Sequence, residues 1–249
     1  MVDVLPGCEP LSATGAAGAV LVLHGFTGNP SSMRPLARRL ADAGHAVELP
    51  RLPGHGTAID DLVDKTWDDW SGAALAAYDE LSARAGRAAV VGLSMGGGLT
   101  AHVAENRDVA GCVFINPLVK PVDASLIAMI DDALAQGTSV FDTGDASDIK
   151  RPGASEMDYG GWPLAALRSL MDGLVGVRAR LAEITAPSLI LTSREDHTVT
   201  TDNSDELADA LAGPVERMWL EDSYHVATLD NDQERVEAET LAFVARVLT

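Results

Sequence analysis

Cysteine, lysine and aromatic residues are all scarce in this chain. Two of its 249 residues are cysteine and 4% are aromatic. Cys8 and Cys112 lie far apart in sequence and fit no metal spacing. Cys112 sits in an apolar run and reads as a small buried hydrophobe. The lysines are Lys65, Lys120 and Lys150, and the formal net charge is −19. Such a surface repels nucleic acid and anionic membranes. It suits solubility or a salty cytoplasm, and it would also help expel an anionic product. No uninterrupted apolar run approaches the length of a membrane span. Met1 to Pro6 lack the basic and apolar regions of a signal peptide, so a cytoplasmic protein is expected. Neither H-E-x-x-H nor C-x-x-C occurs, and no metal site is expected. No G-x-G-x-x-G follows the first long strand, and the glycines of 92–98 lack a Walker lysine. A dinucleotide or other phosphate cofactor is therefore not expected.

What is present is a large apolar content, 47%, enough for one α/β domain over 1–249 with an insertion. Ala19-Val20-Leu21-Val22-Leu23 reads as a strand covered on both faces. A helix from Ser31 to Ala43 follows, capped by Asn29 or Ser31 and stopped by Gly44. Further strands are expected at 46–49, 88–93, 109–115, 188–192 and 215–220. Helices are expected at 68–85, 95–105, 203–212 and 234–248. This alternation predicts a doubly wound, mostly parallel sheet. Residues 118–174 break the rhythm. They carry apolar Leu126, Ile127, Met129 and Ile130, then a loop rich in glycine and aspartate that includes Asp142 and Asp145. The segment reads as a cap over the C-terminal edge of the sheet, where such folds bind ligands.

Gly92-Leu93-Ser94-Met95-Gly96 lies between an apolar strand and a helix-forming run. This is the setting of a G-x-S-x-G nucleophile elbow. The glycines leave room for crossing backbone, and the turn lifts the Ser94 hydroxyl above the sheet. A serine nucleophile needs a base, and the base needs an orienting carboxylate. In this fold they follow in the order Ser, Asp or Glu, His. The acid belongs after strand 188–192, where Asp196 is favoured and Glu195 and Asp202 compete. The base belongs after strand 215–220, where His225 stands. His197 adjoins Asp196 and reads as a loop histidine. The oxyanion needs two backbone N–H donors. Met95, next to the nucleophile, supplies one. Phe26, in His24-Gly25-Phe26-Thr27-Gly28 after the first long strand, supplies the other. His24 is expected to brace this loop, and His55 to hold a turn. His45 and His102 read as ordinary surface or helix-face histidines.

With these residues in place, the chain from Ala19 onward resembles an α/β-hydrolase. It is similar in particular to the small bacterial carboxylesterases and monoacylglycerol lipases. The resemblance rests on residues 24–28, 32–37, 49–57, 92–97, 195–197 and 223–230. It implies Ser94, Asp196 and His225 as the triad and Phe26 and Met95 as oxyanion donors. It also implies that the leading antiparallel hairpin of larger relatives is reduced here. The cap matches least well. Glu156 falls where such lipases carry a polar group for the glycerol head, but a solvated cap carboxylate is the preferred reading.

The expected reaction is two-step acyl transfer through an acyl-enzyme on Ser94. An apolar tunnel lined by Leu118, Leu126, Ile127, Met129, Leu164, Leu167 and Leu170 would favour an ester with one acyl chain, such as a monoacylglycerol. A general short-chain carboxylesterase and an acyl thioesterase use the same machinery. Peroxidase-like and carbon–carbon-bond hydrolases also keep the serine. Dehalogenases and epoxide hydrolases use an aspartate nucleophile, so Ser94 speaks against them. A non-catalytic receptor would need neither a full triad nor two oxyanion loops.

Overall fold

The computed structural model describes residues 3–144 and 147–249; Met1, Val2, Asp145 and Ala146 lie outside the described residues. Seven strands form the main sheet: β1 (Leu11–Ala13), β2 (Ala19–Leu23), β3 (Ala46–Leu49), β4 (Ala88–Leu93), β5 (Cys112–Ile115), β8 (Ser188–Ser193) and β9 (Val215–Leu220). Their order is β1-β3-β2-β4-β5-β8-β9. The pairings from β3 to β9 are parallel, and only β1 runs antiparallel, against β3. β1, at the edge of the sheet, is a three-residue strand.

Every residue of β2, β4 and β5 is buried, as expected of strands covered on both faces. Alternation divides their side chains between two cores. Leu21, Leu23 and Val90 face one core, which takes in α2 (Trp67–Ala85), α3 (Met95–Asn106) and α5 (Leu164–Arg180). Val20, Val22 and Val91 face the other, which takes in α1 (Pro30–Asp42) and α7 (Gln233–Val247). The sheet is therefore wound on both faces, with α6 (Asp202–Ala210) beside β8.

Local chemistry explains the helix starts. Asn29 caps α1 by accepting the Ser31 N–H at 2.9 Å, and Pro30 takes the first helical position. Thr66 and Asp69 form a capping box at the start of α2. On that helix Trp70, Ala74 and Leu81 are fully buried, while Ala73 and Ala77 of the same stripe are half-buried.

Three details differ from the periodicity. The expected strand at 109–115 begins only at Cys112. His45 is buried just before β3, because the connection from β1 to β2 packs over it: the Ala17 N–H donates to the Gly44 carbonyl at 3.0 Å, and a Cβ on Gly15 would strike the His45 backbone. The segment after β5 also has more structure than its composition indicates. It holds α4 (Ala124–Ala135), a small antiparallel pair β6 (Val140–Asp142) and β7 (Gly161–Pro163), and the start of α5. α5 runs unbroken through position 174 and packs against α2 and α3. No helix among the described residues is long and apolar enough to cross a membrane.

Candidate active site

Ser94 stands between β4 and α3 with φ 57° and ψ −121°, a left-handed conformation that a serine adopts only under constraint. Close packing supplies the constraint. A Cβ on Gly92 would come within 2.0 Å of the Gly96 carbonyl oxygen, and one on Gly96 within 2.3 Å of the Leu23 oxygen. Only glycine lets strand, turn and helix approach this closely. The Ser94 N–H is held by the Ile115 carbonyl at 3.1 Å.

Met95 opens α3, so its N–H belongs to the first turn, where no carbonyl four residues back can take it. Opposite lies the loop after β2. A Cβ on Gly25 would sit 3.3 Å from the Ser94 Cβ, which puts residues 25–27 directly beside the serine. The Phe26 ring packs edge-on against Trp70 and His55. His24 braces this loop. Its Nε2 accepts the Leu52 N–H at 3.1 Å and its Nδ1 faces the Gly25 carbonyl at 2.9 Å. Full burial pushes the His24 imidazole down to about 4, so it stays neutral. His55 is likewise buried and bonded within its own turn, Nδ1 to the Pro53 carbonyl.

After β8, Asp196 turns its carboxylate inward. Its Oδ1 accepts the N–H groups of Thr198 and Val199 at 2.9 and 2.7 Å, and its Oδ2 faces His225 Nδ1 at 2.8 Å. Its competitors are engaged elsewhere. Glu195 is exposed and pairs with Lys150, while Asp202 pairs with Lys120. His225, in the loop after β9, is buried. Burial alone would lower its pKa, but the charge and hydrogen bond of Asp196, then the charges of Glu156 and Asp148, raise it above the ordinary value. With Nδ1 committed to Asp196, Nε2 is the nitrogen left for chemistry.

Ser94 and His225 line one cavity of about 510 Å³, together with Gly25 and Phe26. Its far part is apolar and comes from the segment after β5: Leu118, Leu126, Met129, Leu164, Leu167 and Leu170. Ile127 is a correction. It turns away from this cavity into a shallow depression between α4 and α5, because neighbouring residues on a helix face about 100° apart. Glu156 does line the cavity and is not a solvated carboxylate. A Cβ on Gly28 would meet its Oε1 at 2.5 Å, and burial pushes its pKa up to about 7. Cys112 is buried, as expected, with its thiol pushed up to about 12.

Three side chains that the motifs did not single out complete the site. Asn116 ends β5 with φ 42°, and its Nδ2 donates to the carbonyl of His225 at 2.7 Å and to Ser193 Oγ at 2.9 Å. Asp230 is fully buried and accepts N–H groups from Lys150, Arg151 and Tyr224, each at 2.8 Å. Asp148 lines the cavity and faces His197. Only Asp230 lay within a stretch that suggested the family.

A family model described as "Alpha/beta hydrolase family" matches residues 20–239. The chain belongs to the alpha/beta hydrolase family. A relative named thermostable monoacylglycerol lipase, from Bacillus sp. (strain H-257), is 40% identical over 245 residues, covering 98% of this chain and 96% of its own. A carboxylesterase of Bacillus subtilis (strain 168) is 24% identical, with 96% and 97% covered. A solved structure of the metagenome-derived lipolytic enzymes LipS and LipT matches with TM-score 0.91 and 39% identity, covering 98% of this hydrolase and all of that chain.

Proposed function

We propose that this hydrolase cleaves carboxylic esters with one acyl chain, monoacylglycerols first among them, through an acyl-enzyme on Ser94. The observation that carries this is the convergence of Ser94 and the Asp196-backed His225 on one largely apolar cavity.

The chemistry follows from the geometry. His225 takes the hydroxyl proton as Ser94 attacks the ester carbonyl. Asp196 holds the ring and stabilises the imidazolium. The developing oxyanion is received by the N–H groups of Met95 and Phe26. The alcohol leaves with the proton from His225, and water then repeats the sequence to release the acid. Residues 118–174 act as the cap. Its wall of Leu118, Leu126, Met129, Leu167 and Leu170 suits an acyl chain. Glu156 supplies a polar group on the same cavity, suited to the hydroxyls of a glycerol head. The names of the similar lipase and esterase support the same reading.

The test is hydrolysis of monoacylglycerols against p-nitrophenyl esters and acyl thioesters of matched chain length. Ser94→Ala is the control and Glu156→Ala the specificity variant. A preference for monoacylglycerols that disappears in Ser94→Ala and weakens in Glu156→Ala is expected. Equal turnover of plain esters would make the protein a general carboxylesterase. Hydrolysis retained in Ser94→Ala would overturn the assignment.

A further inference from the structure

Asp148 comes from the segment after β6, yet its hydrogen bonds are to the two loops that carry Asp196 and His225. Its Oδ2 accepts the backbone N–H of His197 at 2.9 Å and that of His225 at 3.2 Å. Its Oδ1 stands 2.8 Å from His197 Nδ1. Its backbone carbonyl accepts the Val226 N–H at 3.1 Å. Two residues further on, Asp230 of the His225 loop takes the N–H groups of Lys150 and Arg151. Residues 148–151 thus form a strap fastened to the His197 loop on one end and to the His225 loop at several points.

We infer that Asp148 is a positioning residue for catalysis, one that locks the segment after β5 to both loops and sets the orientation of His225. The inference rests on the reading of His225 as the general base. Two features separate this role from mere scaffolding. The carboxylate holds the backbone N–H of the base itself, so a shift of Asp148 moves the ring. The carboxylate also lines the cavity, where its charge acts on the imidazolium.

The charges around the two histidines fix the expected signs. His225 faces Asp196, Glu156 and Asp148. His197 faces Asp148, then Asp196 and Glu195. It also lies edge-on to the Tyr224 ring, over which Lys150 stands. The hydrogen bond to Asp148 and its charge raise His197 above its ordinary value, so His197 is a cation at mildly acidic pH. As a cation it offsets the charge that Asp148 presents to His225.

The experiment is the pH dependence of kcat/KM on a p-nitrophenyl acyl ester, with Ser94→Ala as control. Asp148→Asn should lower kcat about tenfold through misplacement of the base. It should also move the acid limb down by about half a pH unit, because the imidazolium loses a facing carboxylate. Asp148→Glu keeps the charge and should return the limb towards its wild-type position. His197→Ala should move the limb up, since it uncovers Asp148. Limbs that stay in place in both Asp148→Asn and His197→Ala, or move in the same direction, would overturn the inference. If Asp148→Asn does not fold, His197→Ala decides alone, because its side chain is exposed and outside the cavity. An unmoved limb there overturns the inference. Turnover that survives Ser94→Ala would instead overturn the underlying assignment.

Discussion

Nδ1 of His225 lies 2.8 Å from Oδ2 of Asp196, in a pair whose side chains are 7% and 2% exposed. A buried carboxylate with three such donors is fully engaged: Thr198 N–H, Val199 N–H and the imidazole. The pair therefore fixes one tautomer and one orientation of the ring. Replacing Asp196 by Asn keeps the shape but offers an amide where a carboxylate is needed. We expect kcat to fall by roughly 10³- to 10⁴-fold with little change in KM. Steady-state kinetics on a p-nitrophenyl ester checks this, and a loss under tenfold would remove Asp196 from the role.

The same pair sets the pH dependence. In the proposed mechanism His225 must be neutral to accept the serine proton, and Asp196 and the other facing carboxylates raise its pKa above the ordinary value against the effect of burial. The rate constant kcat/KM should rise with pH through a midpoint above 6.5. An acid limb centred well below 6 would contradict this charge environment. His24 does not contribute to that limb, since its imidazole stays neutral down to about 4.

Packing at the elbow predicts a stability effect as well as a loss of rate. A methyl group on Gly92 would overlap the Gly96 carbonyl, which is backbone and cannot rotate away. Gly92→Ala should cost roughly 3 kcal/mol, lowering Tm by about 6–12 °C. Thermal unfolding followed by circular dichroism reads the shift. Unchanged stability together with unchanged turnover would show that the turn has room to spare.

Glu105, on α3, is a carboxylate buried to 1% exposure with neither oxygen hydrogen-bonded, and its nearest cation is Arg180 Nη1 at 3.8 Å. Burial pushes its pKa from 4.5 to about 8. Folding therefore favours the protonated form. Stability is unaffected below about pH 4.5 and is lost as pH rises towards 8. Glu105→Gln removes the ionisation, so the variant should gain stability relative to the parent as pH rises through that window. At pH 8 the gain should be about 4 kcal/mol. Urea denaturation at pH 5 and pH 8 measures it, and a gain that is the same at both would contradict the buried proton.

Much of the proposed site was legible in the sequence because its parts depend on local rules. Strand runs such as 19–23 and 88–93 announce themselves by unbroken apolar character. The elbow announces itself by glycines that only a strand–turn–helix crossing requires. Asp196 and His225 follow from their places after two late strands, and the sheet then brings them together. Asn29 was recognisable as a cap because the bond it makes spans two residues.

The tertiary structure decided everything that depends on segments meeting across long stretches of chain. Asp148 and the His225 N–H are 77 residues apart, and Asn116 and the His225 carbonyl 109. No periodicity encodes such a contact, because the partner is chosen by how the whole chain closes. The same reason explains Ile127 and His45. An apolar residue on a short helix has several faces to pack against, and only the position of α4 turned Ile127 from the cavity while Leu126 and Met129 line it. The chemistry proposed here therefore rests on local sequence. The walls of the cavity and the polar braces behind His225 came into being only when the segment after β5 settled over the edge of the sheet.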